Sequence, residues 1–291
     1  MYPSRFEYVA PESVADAISV LAQHGDDAKV LAGGQSLIPL MKLRFATPRV
    51  LVDVNGIEQL KGLEQSNGHL RIGALVRHKD CERSQLLKGR YGVLGSAAPQ
   101  ISDPLVRNLG TVCGSVAHAD AQGDWGSALL AAGASVVAQG PSGSREIPLA
   151  EFFLGPFTTT LEPTEVVTEV RVPDPGPRAG GSYHKLERKV GDFATAAAAV
   201  QLQLDGGGKI ERAGIALTAA GPTNLRAARA EQALAGAEPG DAAFAEAARL
   251  AAEDAEPQAD HRGSVEYKRN LIRVFVERGL RAAAESARSA A

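Results

Sequence analysis

The chain has 291 residues, 44% of them hydrophobic, enough to bury a substantial core in more than one compact unit. Its net charge is −3, its 31 lysines and arginines are scattered, and only 5% of residues are aromatic; this excludes a basic, base-stacking nucleic-acid face. The N-terminal stretch has no apolar run after a basic start, and the longest apolar run, residues 128–138, is too short and interrupted to span a bilayer, so a soluble cytoplasmic protein is expected.

Apolar residues at 14, 17, 18 and 21 predict a one-faced helix over residues 12–24, closed by Gly25. A short strand at 29–32 ends at Gly33-Gly34, and Ser36 is placed to cap a helix over 37–43. Residues 49–54 alternate as a strand before an Asn55-Gly56 turn. These elements form a first α/β unit, residues 1–57. A second unit, residues 58–177, has a strand at 69–76 and helices near 78–88 and 91–101. A glycine loop at 110–115, a helix at 124–132, a hairpin turning at 141–144 and a strand at 164–173 complete it.

Residues 174–177 and Gly180-Gly181 read as a linker. The third unit, residues 178–291, has strands at 182–189, 193–205 and 209–221, with a hairpin turn at 206–208. Helices follow over 223–236, 241–254 and 264–286. In the last, Ile272, Phe275, Val276 and Leu280 form a buried stripe, and the alanine-rich tail beyond it frays.

Neither the Rossmann glycine fingerprint nor a P-loop nor a strand-to-helix nucleophile elbow is present. Two cysteines, Cys81 and Cys113, are too few for a metal or iron–sulfur site of the chain's own. An H-x-D at His118 and Asp120, even with Asp124, is a weak metal signal; loop-orienting residues are the better reading. What remains is two glycine loops, residues 32–36 (AGGQS) and 110–115 (GTVCGS). Glycine lets backbone N–H groups approach an anionic oxygen, and two such loops could clamp a pyrophosphate from both sides. Any single pair among 31 glycines could equally be an ordinary turn.

The flanking residues decide. AGGQS and TVCGS resemble the two FAD loops of the FAD-binding medium subunit of the molybdenum hydroxylase (xanthine dehydrogenase) family, and most of all the carbon monoxide dehydrogenase-type medium chain. The resemblance runs over nearly the whole chain, including RNLGTVCGSVAHADAQGDW (107–125), GPFTTTLEPTE (155–165) and KLERKVGDFATAAAAV (185–200). It implies an α+β fold: a two-subdomain FAD-binding domain of the vanillyl-alcohol-oxidase (PCMH) type, and a C-terminal domain with a three-stranded antiparallel sheet and a helix bundle.

By match to the family pattern, Ala32, Gly33, Gly34, Gln35 and Ser36, with Gly110, Thr111, Val112, Cys113, Gly114 and Ser115, would bind the pyrophosphate. Asp124 would bind ribose, Val167 would meet the adenine, and Lys185 would stand near the flavin ring beside Ile101 and Phe193. Cys113 replaces a usual glycine and would be strained at positive φ; a buried inert thiol is the expected state. Phe193 stands where tyrosine is common and keeps the stacking surface.

The resemblance further implies that this chain carries FAD. [2Fe–2S] clusters would lie on a small subunit and a molybdenum–pterin cofactor on a large one, assembled as a dimer of heterotrimers, with an external electron acceptor. Such a complex would be cytoplasmic or peripheral at the inner membrane face. Its substrate, carbon monoxide, an aldehyde or an N-heterocycle, is not encoded in this chain. A free-standing flavoprotein oxidase is the alternative, although roughly 110 C-terminal residues are few for a substrate-binding cap domain. A non-redox nucleotide-binding module is the third reading.

Overall fold

The computed structural model describes residues 2–290. A parallel sheet of β1 (Glu7–Val9), β2 (Ala28–Leu31) and β3 (Val50–Asp53), in the order β1-β3-β2, carries α1 (Val14–His24) and α2 (Leu37–Leu43). The Ser13 hydroxyl caps α1 by accepting from Asp16 N–H, and Gly25 ends it at φ +52. Ser36 occupies the corresponding position before α2 but makes no capping bond, so its expected capping role is not realised.

The second sheet contains β4 (Leu63–Ser66), β5 (His69–Gly73), β6 (Ser135–Gly140), β7 (Gly143–Pro148) and, after the short pair β8 (Phe153–Gly155) and β9 (Thr158–Thr159), β10 (Val166–Pro173). It is antiparallel in the order β4-β5-β10-β6-β7. Between β5 and β6 lie α3 (His78–Arg83), α4 (Gly92–Ala97), α5 (Pro104–Leu109), α6 (Val112–His118) and α7 (Asp124–Ala131), and α8 (Leu149–Phe152) follows β7. The expected helix at 78–88 is shorter, whereas the one expected at 91–101 is α4 extended by 3-10 turns over Gly89–Tyr91 and Ala98–Gln100. The expected loop at 110–115 is a two-residue turn that runs straight into α6, because the Thr111 hydroxyl accepts from Gly114 N–H and starts the helix.

The C-terminal domain holds β11 (Ala179–Glu187), β12 (Ala194–Leu204), β13 (Ile210–Thr218) and β14 (Leu225–Arg226), all antiparallel, with α9 (Ala228–Leu234), α10 (Asp241–Asp254) and α11 (Val265–Ser289). The three long strands match the sequence expectation. β14 is a two-residue addition at the edge, where a helix is expected from residue 223. Helix α11 continues to Ser289, so the tail expected to fray is helical there.

Strand β12 explains the alanine run at 196–199. Ala197 and Ala199 pack into the core shared with the second subdomain, while Ala196 and Ala198 pack with Val276, Leu280 and Ala283 beneath the C-terminal helices. A strand covered on both faces reads as a continuous apolar run, and small side chains let helices approach closely. Gly180 and Gly181, expected in a linker, lie inside β11 for the same reason. A Cβ on Gly180 would stand 2.3 Å from the Ala283 carbonyl oxygen of α11, and one on Gly181 would stand 2.5 Å from Val93 N of α4. Gly214 in β13 is tighter still, with its absent Cβ position 1.9 Å from the Ala131 carbonyl oxygen of α7. Gly214→Ala should therefore force the sheet off α7 and cost at least about 2 kcal/mol, typical of an overpacked core, read as a lower midpoint in urea unfolding.

Candidate functional site

Strand β2 delivers the chain to Ala32, whose carbonyl accepts from Asn55 Nδ2 at 2.8 Å. Gly34, at φ +70, takes the left-handed conformation that turns the chain into α2. The backbone N–H groups of Gly33, Gly34, Gln35 and Ser36 donate to no group among the described residues. Four adjacent donors without a protein acceptor form a concave cluster suited to an anionic ligand.

The second turn is held beside the end of β5 by a short antiparallel bridge. His78 N–H donates to the Gly110 carbonyl at 3.0 Å and Val112 N–H to the Val76 carbonyl at 3.1 Å. The two turns touch: a Cβ on Gly33 would lie 2.5 Å from the Leu109 carbonyl oxygen and 2.7 Å from Gly110 Cα. The Arg77 guanidinium crosses the junction, donating to Asn55 Oδ1 at 2.5 Å and to the Leu109 carbonyl. Asn55 is fixed by Asp53 Oδ1, which accepts from its N–H at 2.9 Å and from Nδ2 at 2.6 Å, and Tyr8 donates to the other Asp53 oxygen. Burial works to raise the Asp53 pKa, but these hydrogen bonds and the Arg77 charge outweigh it and hold the carboxyl below its usual value.

A cavity of about 480 Å³ opens at this junction. Of the residues expected from sequence, Ala32, Gly33, Gly34, Gln35, Ser36, Ile101, Gly110, Thr111, Gly114, Ser115, Asp124 and Phe193 line it. Phe193, half exposed, lines the cavity together with Ile101, and their apolar side chains suit a planar ring. A larger cavity, about 690 Å³, lies between the second and C-terminal sheets, away from both glycine turns.

Four expected residues lie outside the lining. Val112 and Cys113 point into the core because α6 begins at Val112. Cys113 is helical rather than at positive φ, so the feared strain is absent; burial pushes its thiol up to about 12, and an unreactive thiol results. Val167 is buried in β10, paired with Ala138. Lys185 sits beneath the cavity, its side chain only 2% exposed, donating to Asp124 Oδ2 and to the Gln100 carbonyl, both at 2.9 Å. Lys185, expected near the flavin ring, has its ammonium engaged by the buried Asp124 carboxylate.

Asp124, at the start of α7, is thus held from the protein side on both oxygens. Lys185 takes one, and the Tyr183 hydroxyl donates to the other at 2.7 Å. Tyr183 in turn contacts Thr218, which bonds Ser127 at 2.5 Å. Burial raises the Asp124 pKa, opposed by Lys185 and Tyr183; burial drives the Tyr183 hydroxyl well above its ordinary value and keeps it a donor. The carboxylate retains lone pairs for a further donor.

Sequence reasoning missed Arg77, His78, Tyr183 and Trp125. The signal available was an Arg-His pair directly after a strand, and the tryptophan next to Asp124. Removing the Lys185 ammonium would leave a buried carboxylate unpaired. Lys185→Met should destabilise the fold by about 3–5 kcal/mol, and adding Asp124→Asn should recover part of that loss in denaturant unfolding.

Residues 4–175 match the model of the FAD binding domain in molybdopterin dehydrogenase, and residues 181–283 match the CO dehydrogenase flavoprotein C-terminal domain. The chain is 42% identical over 288 residues to the carbon monoxide dehydrogenase medium chain of Hydrogenophaga pseudoflava, covering 97% of this chain and 98% of that one. It is 38% identical to 6-hydroxypseudooxynicotine dehydrogenase complex subunit alpha of Paenarthrobacter nicotinovorans, covering 99% and 97%. A solved structure of Hydrogenophaga pseudoflava carbon monoxide dehydrogenase superposes with a TM-score of 0.94 at 44% identity, over 98% of this chain and 99% of that one. The chain belongs to the FAD-binding medium-chain family of the molybdopterin dehydrogenases.

Proposed function

We propose that this chain is the FAD-carrying electron-transfer subunit of a molybdenum-containing hydroxylase or dehydrogenase. The observation that carries this reading is the meeting of two glycine turns from successive subdomains around unsatisfied backbone donors. Bound FAD would accept electrons from a partner's [2Fe–2S] cluster and pass them to an external acceptor, because a flavin links one- and two-electron chemistry. In this reading the N–H groups of residues 33–36 hold the pyrophosphate, with the Gly110-Thr111 turn and the α6 residues Gly114 and Ser115 that line the cavity. Asp124 receives the ribose hydroxyls, and Phe193 and Ile101 shape the ring's wall. Substrate oxidation belongs to the molybdenum subunit.

The partner set is an iron–sulfur small subunit and a molybdenum large subunit, paired as a dimer of heterotrimers in the cytoplasm. No helix among the described residues is long and apolar enough to cross a membrane. Exposed apolar side chains support a partner beside the cavity. Leu105 and Leu109 project from α5, whose Val106 lines the cavity, and Val190 precedes the lining residues Gly191 to Phe193. The relatives are subunits of a carbon monoxide dehydrogenase and of a 6-hydroxypseudooxynicotine dehydrogenase complex, so either substrate class fits the same medium chain. The domain boundaries near residues 57 and 177 belong to this proposal.

Two outcomes test it. Purified from its native cell, the chain should show oxidised-flavin absorbance and bring partners with iron–sulfur absorbance and molybdenum; flavin without partners, with direct turnover of an organic substrate, would establish the free-standing oxidase instead. Gly33→Val should part the two turns and weaken FAD binding about ten-fold or more, the equivalent of at least one lost hydrogen bond, with far-UV circular dichroism unchanged. Stoichiometric FAD in that variant would overturn the loop assignment.

A further inference from the structure

His78 opens α3 and is 5% exposed, with its ring in the cavity lining. Trp125 Nε1 donates to His78 Nδ1 at 2.9 Å. An indole nitrogen is a donor only, so Nδ1 must present its lone pair. A neutral imidazole then carries its proton on Nε2. Burial, with the neighbouring Arg107 and Arg77 charges, lowers the ring's pKa to about 4 and keeps it neutral at physiological pH.

Nε2 has no hydrogen-bond partner among the described residues. It stands beside the second glycine turn: a Cβ on Gly110 would lie 2.6 Å from it. The absent side chain of Gly110 is therefore what admits the imidazole edge to the junction of the two turns. His78 and residues 33–36, with their unpartnered N–H groups, line the same cavity. Nε2–H and the N–H groups of residues 33–36 are donors without a protein acceptor, and together they call for one.

We propose that His78 donates its Nε2–H to an anionic oxygen of the FAD pyrophosphate, and that Trp125 acts as the positioning residue that fixes the required tautomer. This rests on the FAD reading given above and adds a ligand contact outside both glycine motifs. A neutral donor suits this position because a further cation beside Arg107 and Arg77 would be repelled.

The test uses the full-length chain with FAD bound and after its removal. Long-range ¹H–¹⁵N spectra of the histidine rings should show His78 as the Nε2–H tautomer in both forms, with the Nε2 proton shifting downfield when FAD is added. His78→Phe, which keeps a ring but no donor, should weaken FAD binding about ten-fold or more, as for a lost hydrogen bond to a charged group. His78→Gln, which restores an N–H at similar reach, should recover most of that loss. Trp125→Phe should release the tautomer, giving mixed Nδ1–H and Nε2–H signals and intermediate affinity. An Nδ1–H tautomer in the wild type, an Nε2 proton indifferent to FAD, or a folded His78→Phe chain that binds FAD as the wild type does would overturn the proposal. If His78→Phe fails to fold, the wild-type spectra still decide it. A wild-type chain that takes up no FAD would remove the functional reading and this proposal together, whereas FAD held equally by wild type and His78→Phe would remove this proposal alone.

Discussion

The backbone of one turn rests directly on the backbone of another, and the site depends on that contact. Gly33 can meet the Leu109 carbonyl and Gly110 Cα only because it has no side chain there. Arg77 locks the contact from the side, with one guanidinium nitrogen on Asn55 and another on the Leu109 carbonyl. Each hydrogen bond to a charged group contributes about 1.5–3 kcal/mol, so sliding either turn away would cost more than one such bond. The donors at residues 33–36 are consequently ordered before any ligand arrives, which lowers the entropy lost on binding.

The C-terminal domain is part of the same construction. Its sheet lies against α4 and α7 on one face and the long helix α11 on the other, and alanine and glycine in β11 to β13 set the close spacing. That spacing brings Tyr183 and Lys185 up beneath α7, where they hold both oxygens of Asp124. Large side chains at positions 196–199 would push the sheet from its helices and withdraw those two groups. Composition in a strand whose residues do not line the cavity thus governs the orientation of a carboxylate within it.

These relations were legible in the sequence to different depths. The helix at 14–24, the strands at 50–53 and 166–173 and the hairpin at 206–208 follow from periodicity and turn residues that act locally. The glycine turns were legible as motifs, but the reason for Gly33 is a contact 76 positions away, which no local pattern carries. Gly180 and Gly181 read as a linker because glycine pairs usually mark one, whereas here the missing side chains serve helix packing on both faces of a strand. Short helices such as α5 and α6 lack the repeated apolar stripe that makes a longer helix visible. Lys185 and Asp124 are each identified by match to the family pattern, but their pairing is visible only once β11 and α7 are brought together.

The charges around the cavity clarify how it can favour an anion. Arg77 is engaged by Asn55 and a carbonyl, Arg107 by Glu82 and the carbonyls of Ile101 and Ser102, and Lys185 by Asp124. Among the lining residues Lys29 is the one lysine or arginine, and it is exposed. Attraction for an anion there therefore has to come chiefly from oriented backbone dipoles and neutral N–H donors, not from a mobile lysine. Such donors are short-ranged and rigid. They discriminate by position, because an oxygen displaced by an ångström loses most of a hydrogen bond, whereas a point charge would tolerate the shift. A cofactor that must stay fixed between an electron donor and an acceptor is better held by this arrangement than by long cationic side chains, and the paired arginines and lysine around it serve to keep the donors in place.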